Sequence, residues 1–211
     1  MKRKILVGLA SGLLMLGWNN AANAMSVAVT YTGDNVIDSL RLVDGGVESV
    51  LSLGANYNNW VQSDSIVLTD LLAGHDYSLV WQVSNADLAT PTNTSGGGDP
   101  AAFLAEFTGD VAGGALYSSD GAQWEYSLNG SDWFAVAAYG ANGGANIWTN
   151  VNGGKVEGIS ELAQWIWSGG DNASLYLKAN FQTTPVPEAT TMLLFGVGLA
   201  GLAGVIRRQR A

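Results

Sequence analysis

The 211-residue chain contains no cysteine. No disulfide can brace it, and no thiolate can ligate zinc or act as a nucleophile. Histidine occurs once, at His75, within "LLAGHDY", a tight turn by composition. One imidazole is too little for a zinc site, and His75 beside Asp76 reads as a solvated turn rather than a dyad. No G-x-S-x-G surrounds a serine, and "NGGKVEG" lacks the spacing and the Ser or Thr of a phosphate-binding loop. Positive charge is scarce as well. Residues 25–185 hold only Arg41, Lys155 and Lys178 against seventeen acids, a net charge of −14. Such a surface repels phosphates, so no nucleic-acid partner is expected; cations or neutral polymers suit it better.

The remaining basic residues lie in two end segments. Residues 1–24 read "MKRKILVGLASGLLMLGWNNAANA". Lys2, Arg3 and Lys4 precede an apolar run of about a dozen residues, too short to span a bilayer comfortably. Ala22 and Ala24 then supply a small-x-small site. This is the pattern of a secretory signal peptide, with cleavage expected between Ala24 and Met25 by signal peptidase after export through the Sec translocon. At the other end, residues 190–206 are 17 uncharged residues followed by Arg207, Arg208 and Arg210. As a transmembrane helix this run is about 25 Å long, slightly short of a hydrocarbon core of about 30 Å. The arginines should stay on the cytoplasmic side of the inner membrane. Gly196, Ala200 and Gly204 form a small-residue stripe that another helix could approach closely.

Val186, Pro187, Glu188 and Ala189, then the apolar run, then the terminal arginines, resemble the PEP-CTERM sorting signal of Gram-negative bacteria. The chain has Ala189 where the family usually carries its second proline. The resemblance covers residues 185–210. It implies recognition and processing near the motif by an exosortase-type membrane peptidase, so that the tail is a temporary hold rather than a lasting anchor.

Between a signal peptide at 1–24 and a sorting tail at 185–211, residues 25–184 suit one domain with a sizeable core. Period two dominates. "YSLVWQVS" places Tyr77, Leu79, Trp81 and Val83 on one face, "AQWEYSL" aligns Ala122, Trp124, Tyr126 and Leu128, and "SLYLKANF" aligns Leu175, Leu177, Ala179 and Phe181. Asp44-Gly45-Gly46 reads as a hairpin turn, and Asn129-Gly130 and Asn152-Gly153 as further turns. "PAAFLAEF" is too short to assign to helix or strand, and "NTSGGGD" reads as a flexible loop. About ten short strands separated by turns argue for a β-sandwich or barrel. The landmarks "NYNNW", "LLAGHDYSLVWQVSNAD", "DPAAFLAEF", "AQWEYSLNGSDW", "YGANGGANIW", "AQWIWS" and "LYLKANF" together resemble the galactose-binding-like jelly roll of sugar-binding modules and cell-surface proteins. That resemblance implies an all-β jelly-roll sandwich; it does not imply a ligand.

No residue is expected to be catalytic or to bind a cofactor. Paired carboxylates hydrolyse glycosides, but Glu106, Glu125, Glu157 and Glu161 carry no individual signal. Calcium takes oxygen ligands, which "TGDNVID" (Asp34, Asn35, Asp38) and "SGGDN" (Asp171, Asn172) offer. A structural calcium therefore stays open, without a preferred site. Trp81, Trp124, Trp165 and Trp167 lie in alternating strands and read as core. Tyr57, Asn58, Asn59 and Trp60, with Tyr139 and Trp148, follow or belong to Asn/Gly-rich loops and are the candidates for a ligand rim. Trp stacks on sugar rings, and Asn hydrogen-bonds their hydroxyls. The expected protein is thus exported and non-enzymatic. It is sorted to the cell surface or an extracellular polysaccharide matrix. A carbohydrate-binding module or adhesin is the alternative, and a glycoside-active enzyme the third reading.

Overall fold

Period-two alternation produces the strands at the heart of one sheet. The structure is a computed structural model that describes residues 24–85, 101–170 and 172–186. The strands, in chain order, are β1 (Met25–Asp34), β2 (Val36–Asp44), β3 (Val47–Leu51), β4 (Asp64–Leu71), β5 (Asp76–Ser84), β6 (Ala102–Gly109), β7 (Leu116–Tyr117), β8 (Trp124–Ser127), β9 (Phe134–Ala135), β10 (Ala137–Ala141), β11 (Gln164–Trp167) and β12 (Ser174–Gln182). One short helix, α1 (Ile147–Asn152), precedes β11. In β5 and β12 the expected faces, Tyr77, Leu79, Trp81 and Val83 and Leu175, Leu177, Ala179 and Phe181, are all buried.

The strands form two antiparallel sheets. One has the order β10-β11-β6-β1-β4, with β7 beside β6, and the other runs β3-β2-β5-β12-β8-β9. Their inner faces share one core, in which Trp81 stacks on Trp124 at 5.8 Å between centroids and tilts against Phe103 at 5.0 Å. Aromatic pairs at such spacings add to the effect of area burial. The result is a β-sandwich, built over the compact unit Ala24–Thr184. Asp44 pairs with Val47 across the Gly45-Gly46 turn, whose φ angles of 54° and 88° require glycine-like freedom at both positions.

Three segments depart from the alternation. "PAAFLAEF" becomes β6, flanked by β1 and β11. Phe103, Ala105 and Phe107 face the main core, while Ala102 and Leu104 face a second apolar cluster containing Trp148 and Trp165. A strand covered on both faces loses its polar alternation, so periodicity could not separate it from helix. In "AQWEYSL" only Trp124 of the expected face is fully buried. Ala122 sits in a 3-10 turn, Tyr126 is half-buried and Leu128 is exposed, because β8 spans four residues beside the edge strand β9. Asn152-Gly153 is the end of α1, with Gly153 in the left-handed region at φ 73° as its cap. The Asn146 side chain caps the start by accepting from Thr149 N–H. Residues 1–23 of the expected signal peptide at 1–24, the "NTSGGGD" segment, Asp171 and the expected apolar tail with its arginines lie outside the described residues.

Candidate functional site

The two functional regions read from sequence fall at opposite ends of β1. At its first residues the chain both enters and leaves the sandwich. Asp110, just after β6, joins the two. Its carboxylate accepts from Ser26 N–H at 2.9 Å, its own N–H donates to Ser26 O at 2.9 Å, and its carbonyl accepts from Thr184 N–H at 2.9 Å. Gly109 makes this approach feasible: a Cβ there would lie 2.6 Å from Ser26 O. Thr183 is fully buried. Its N–H donates to His75 O at 3.0 Å, its hydroxyl accepts from His75 N–H at 3.0 Å, and the same hydroxyl donates a short bond to Leu72 O. Ala24 on one side and Thr184, Pro185 and Val186 on the other are exposed. The expected cleavage junction between Ala24 and Met25 and the start of the sorting motif therefore share one end. Ala22, Pro187, Glu188, Ala189, Arg207, Arg208 and Arg210 lie outside the described residues.

The opposite end carries the Asn-rich loop between β3 and β4. Asp64 fixes its base: the carboxylate accepts from Asn56 N–H at 3.0 and 3.1 Å, and a Cβ on Gly54 would overlap it. Beneath lies the Tyr31 phenol. Burial, and then the negative charge of Asp64, push its pKa up to about 12. The loop closes through Ile37 N–H to Tyr57 O at 2.7 Å and Thr32 Oγ1 to Trp60 O at 3.0 Å. Tyr57 is 43 % exposed, Asn58 is exposed and Asn59 half-buried.

Three of the six rim candidates meet, but as packing. Trp60 sets its ring edge-on to Trp165 at 6.2 Å, Trp165 stacks on Trp148 at 5.1 Å, and Tyr139 abuts Trp148 at 6.4 Å. Trp148 is 2 % exposed and its indole N–H donates to Asp34 Oδ2 at 2.9 Å. Its ring is a wall of the second cluster and presents no face to solvent. The surface rim reduces to Tyr57, Asn58 and Asn59 with the outer edge of Trp60. The two stems of the loop, Asn56 and residues 61–63, border a cleft of about 560 Å³ whose other wall is residues 152–155 and Glu157; the rim residues themselves do not line it. Ser63 Oγ ties the two walls by donating to Glu157 O at 2.8 Å.

Like Asp110 and Thr183, two further features had no signal in the sequence. Asn142 is buried and holds residues 156–159, donating to Val156 O at 3.0 Å and Ile159 O at 2.8 Å and accepting from Val156 N–H at 2.8 Å. Its only mark was an Asn in a Gly-rich run. At the chain-exit end lies a polar cleft of about 700 Å³, bordered by Gly45, Gly46, Asp76, Gly113, Gly114 and Gln182.

The carboxylates are engaged one at a time. Lys178 Nζ donates to Glu125 at 2.7 Å, and this hydrogen bond is the main reason the Glu125 pKa is lowered. Lys155 meets Glu161 at 3.2 Å, Glu106 accepts from Ser160 N–H at 2.7 Å, and Glu157 is exposed. His75 contacts Asp44 at 2.7 Å rather than its neighbour Asp76. Among the described residues no group of three or more His, Cys, Asp or Glu is placed to hold a metal ion.

Residues 185–208 match the PEP-CTERM protein-sorting motif. The chain thus carries a sorting tail that implies export, transient membrane anchoring and processing by an exosortase-type membrane enzyme. No curated protein and no solved structure matches the chain.

Proposed function

We propose that the mature domain is a non-enzymatic structural component of the cell surface or extracellular matrix of a Gram-negative bacterium. It passes the inner membrane through the Sec translocon and is cut by signal peptidase before its tail is sorted. The observation that carries this reading is the motif at residues 185–208. The non-enzymatic part is supported by acids that serve separate structural contacts. The sandwich is assigned to the galactose-binding-like jelly rolls. Support comes from the path of the chain: β1, β2–β3, β4, β5, β6–β7, β8–β9, β10–β11 and β12 fall alternately in the two sheets, the wrapping of a jelly roll.

The test is to produce the chain in a host with its exosortase and in the same host lacking it. Exosortase-dependent shortening and release from the inner membrane is the expected result. Equal release in both hosts would overturn the sorting reading.

A second reading, a carbohydrate-binding module or adhesin, is favoured by the exposed Tyr57 and Asn58 on a loop whose stems border a cleft with the amides of Asn56, Gln62 and Asn152 in its walls. Its ligand would be a neutral or calcium-bridged extracellular polysaccharide.

A further inference from the structure

The last residues bonded to the sandwich stand next to the sorting motif. Pro187 is three residues beyond Thr184, a contour of about 11 Å at full extension. Pro185 and Pro187 have no N–H. Val186 is therefore the only main-chain donor between Thr184 and Glu188. Enzymes that grip an extended peptide do so largely through its main-chain hydrogen bonds. Upstream of Val186, the next two donors are the N–H groups of Thr184 and Thr183, and both are already committed, to Asp110 O and His75 O.

The hold on these two residues is separable from the rest of the fold. β12 ends at Gln182, which pairs with Asp76. Thr183 and Thr184 lie beyond that ladder, held by an isolated bridge to Val111 and by the bonds to His75, Leu72 and Asp110. A short terminal piece of this kind can open locally while the core strands stay paired.

We propose that Thr183 is a positioning residue for tail processing: it latches the substrate segment to the folded domain, and the processing enzyme engages the motif only after Thr183 and Thr184 are peeled away. The inference rests on the exosortase reading of the tail. It makes processing depend on an opening equilibrium set by the substrate, with the Thr183 hydroxyl, bonded to both Leu72 and His75, as its principal tie.

The test follows conversion of the full-length chain in hosts with and without exosortase. Thr183→Val keeps the buried shape but removes the hydroxyl bonds. It should raise the processing rate at least about fivefold, the equivalent of one net hydrogen bond, because two hydrogen bonds are removed. Inserting eight Gly/Ser residues after Thr184 leaves the latch intact and supplies free upstream donors, so it should raise the rate at least as much. In the inserted chain Thr183→Val should have no further effect, which a general loss of stability would not reproduce. Exosortase-dependent processing that ignores the insertion overturns the latch alone, even if Thr183→Val fails to fold. The latch is also overturned if Thr183→Val accelerates the inserted and uninserted chains equally. Conversion that is identical with and without the exosortase overturns the sorting reading, and the latch with it.

Discussion

The indole N–H of Trp148 donates to the carboxylate of Asp34 at 2.9 Å, across 114 residues of sequence and beneath the Asn-rich loop. Trp148 also stacks on Trp165, so it serves packing and hydrogen bonding at once. Trp148→Ala should cost about 3–5 kcal/mol by leaving a cavity. Trp148→Phe retains most of the stacking but deprives the buried carboxylate of this donor, at about 1–3 kcal/mol. Urea unfolding of the exported protein measures both. Because the ring is buried, a folded Trp148→Phe protein should keep whatever polysaccharide binding the wild type has.

The start of β1 gives a second expectation. Met25 is its first residue, and Ser26 N–H is already bonded to the Asp110 carboxylate. The exported protein should begin at Met25, which intact mass or N-terminal sequencing reads directly. A mature chain that retains Lys2, Arg3 and Lys4 contradicts it. Asp110→Ala removes the acceptor of Ser26 N–H and should cost about 1 kcal/mol, with faster amide exchange confined to the first residues of β1 and to Thr184.

Two titrations have opposite signs. The Glu125 pKa is lowered from its ordinary 4.5, chiefly by the Lys178 hydrogen bond. Its contribution is therefore present above that value and is lost as pH falls through the lowered one. The urea midpoint of Glu125→Gln should lie below wild type at neutral pH and converge with it in acid. The Tyr31 pKa is raised from 10.0 to about 12. The folded state there favours the protonated phenol, so stability is present below pH 10 and lost as pH rises toward 12. Tyr31→Phe should remove that alkaline loss. A wild-type and variant pair with parallel slopes above pH 10 would contradict the burial of the phenol.

Legibility tracked how local each constraint was. β5 and β12 were plain because each buries one face, and the Gly45-Gly46 turn because its backbone demands glycine-like freedom. The sorting tail was legible because its motif is contiguous in sequence: Pro187 and Glu188, an uncharged apolar run, then arginines. β6 was not, since covering both faces erases its period. Trp148 looked like a loop aromatic because Asn and Gly precede it; Asn146 instead caps α1, the ring is buried in the second cluster against Trp165, and the acceptor of its indole N–H, Asp34, is remote in sequence. Asp110, Asn142 and Thr183 left no trace for the same reason: their work is done through backbone groups far along the chain.

The last expectation concerns the rim. Of the six candidates, Asn58 and Asn59 have side chains that can reach solvent and whose amides take no part in closing the loop. The loop is held instead by the Tyr57 and Trp60 carbonyls and by Asp64. Asn58→Ala with Asn59→Ala should therefore change stability within about 0.5 kcal/mol per site, whereas Trp60→Ala strips a ring from Trp165 and confounds binding with folding. Affinity electrophoresis in gels containing the host's own matrix polysaccharide should retard the wild type, and the double variant should migrate as in a gel without polymer. The domain's charge of −14 opposes an acidic polymer unless a cation bridges the two. Retardation by an acidic fraction should accordingly vanish with a chelator, while retardation by a neutral fraction should not. No retardation by any fraction, with or without calcium, would remove the binding reading and leave the structural one.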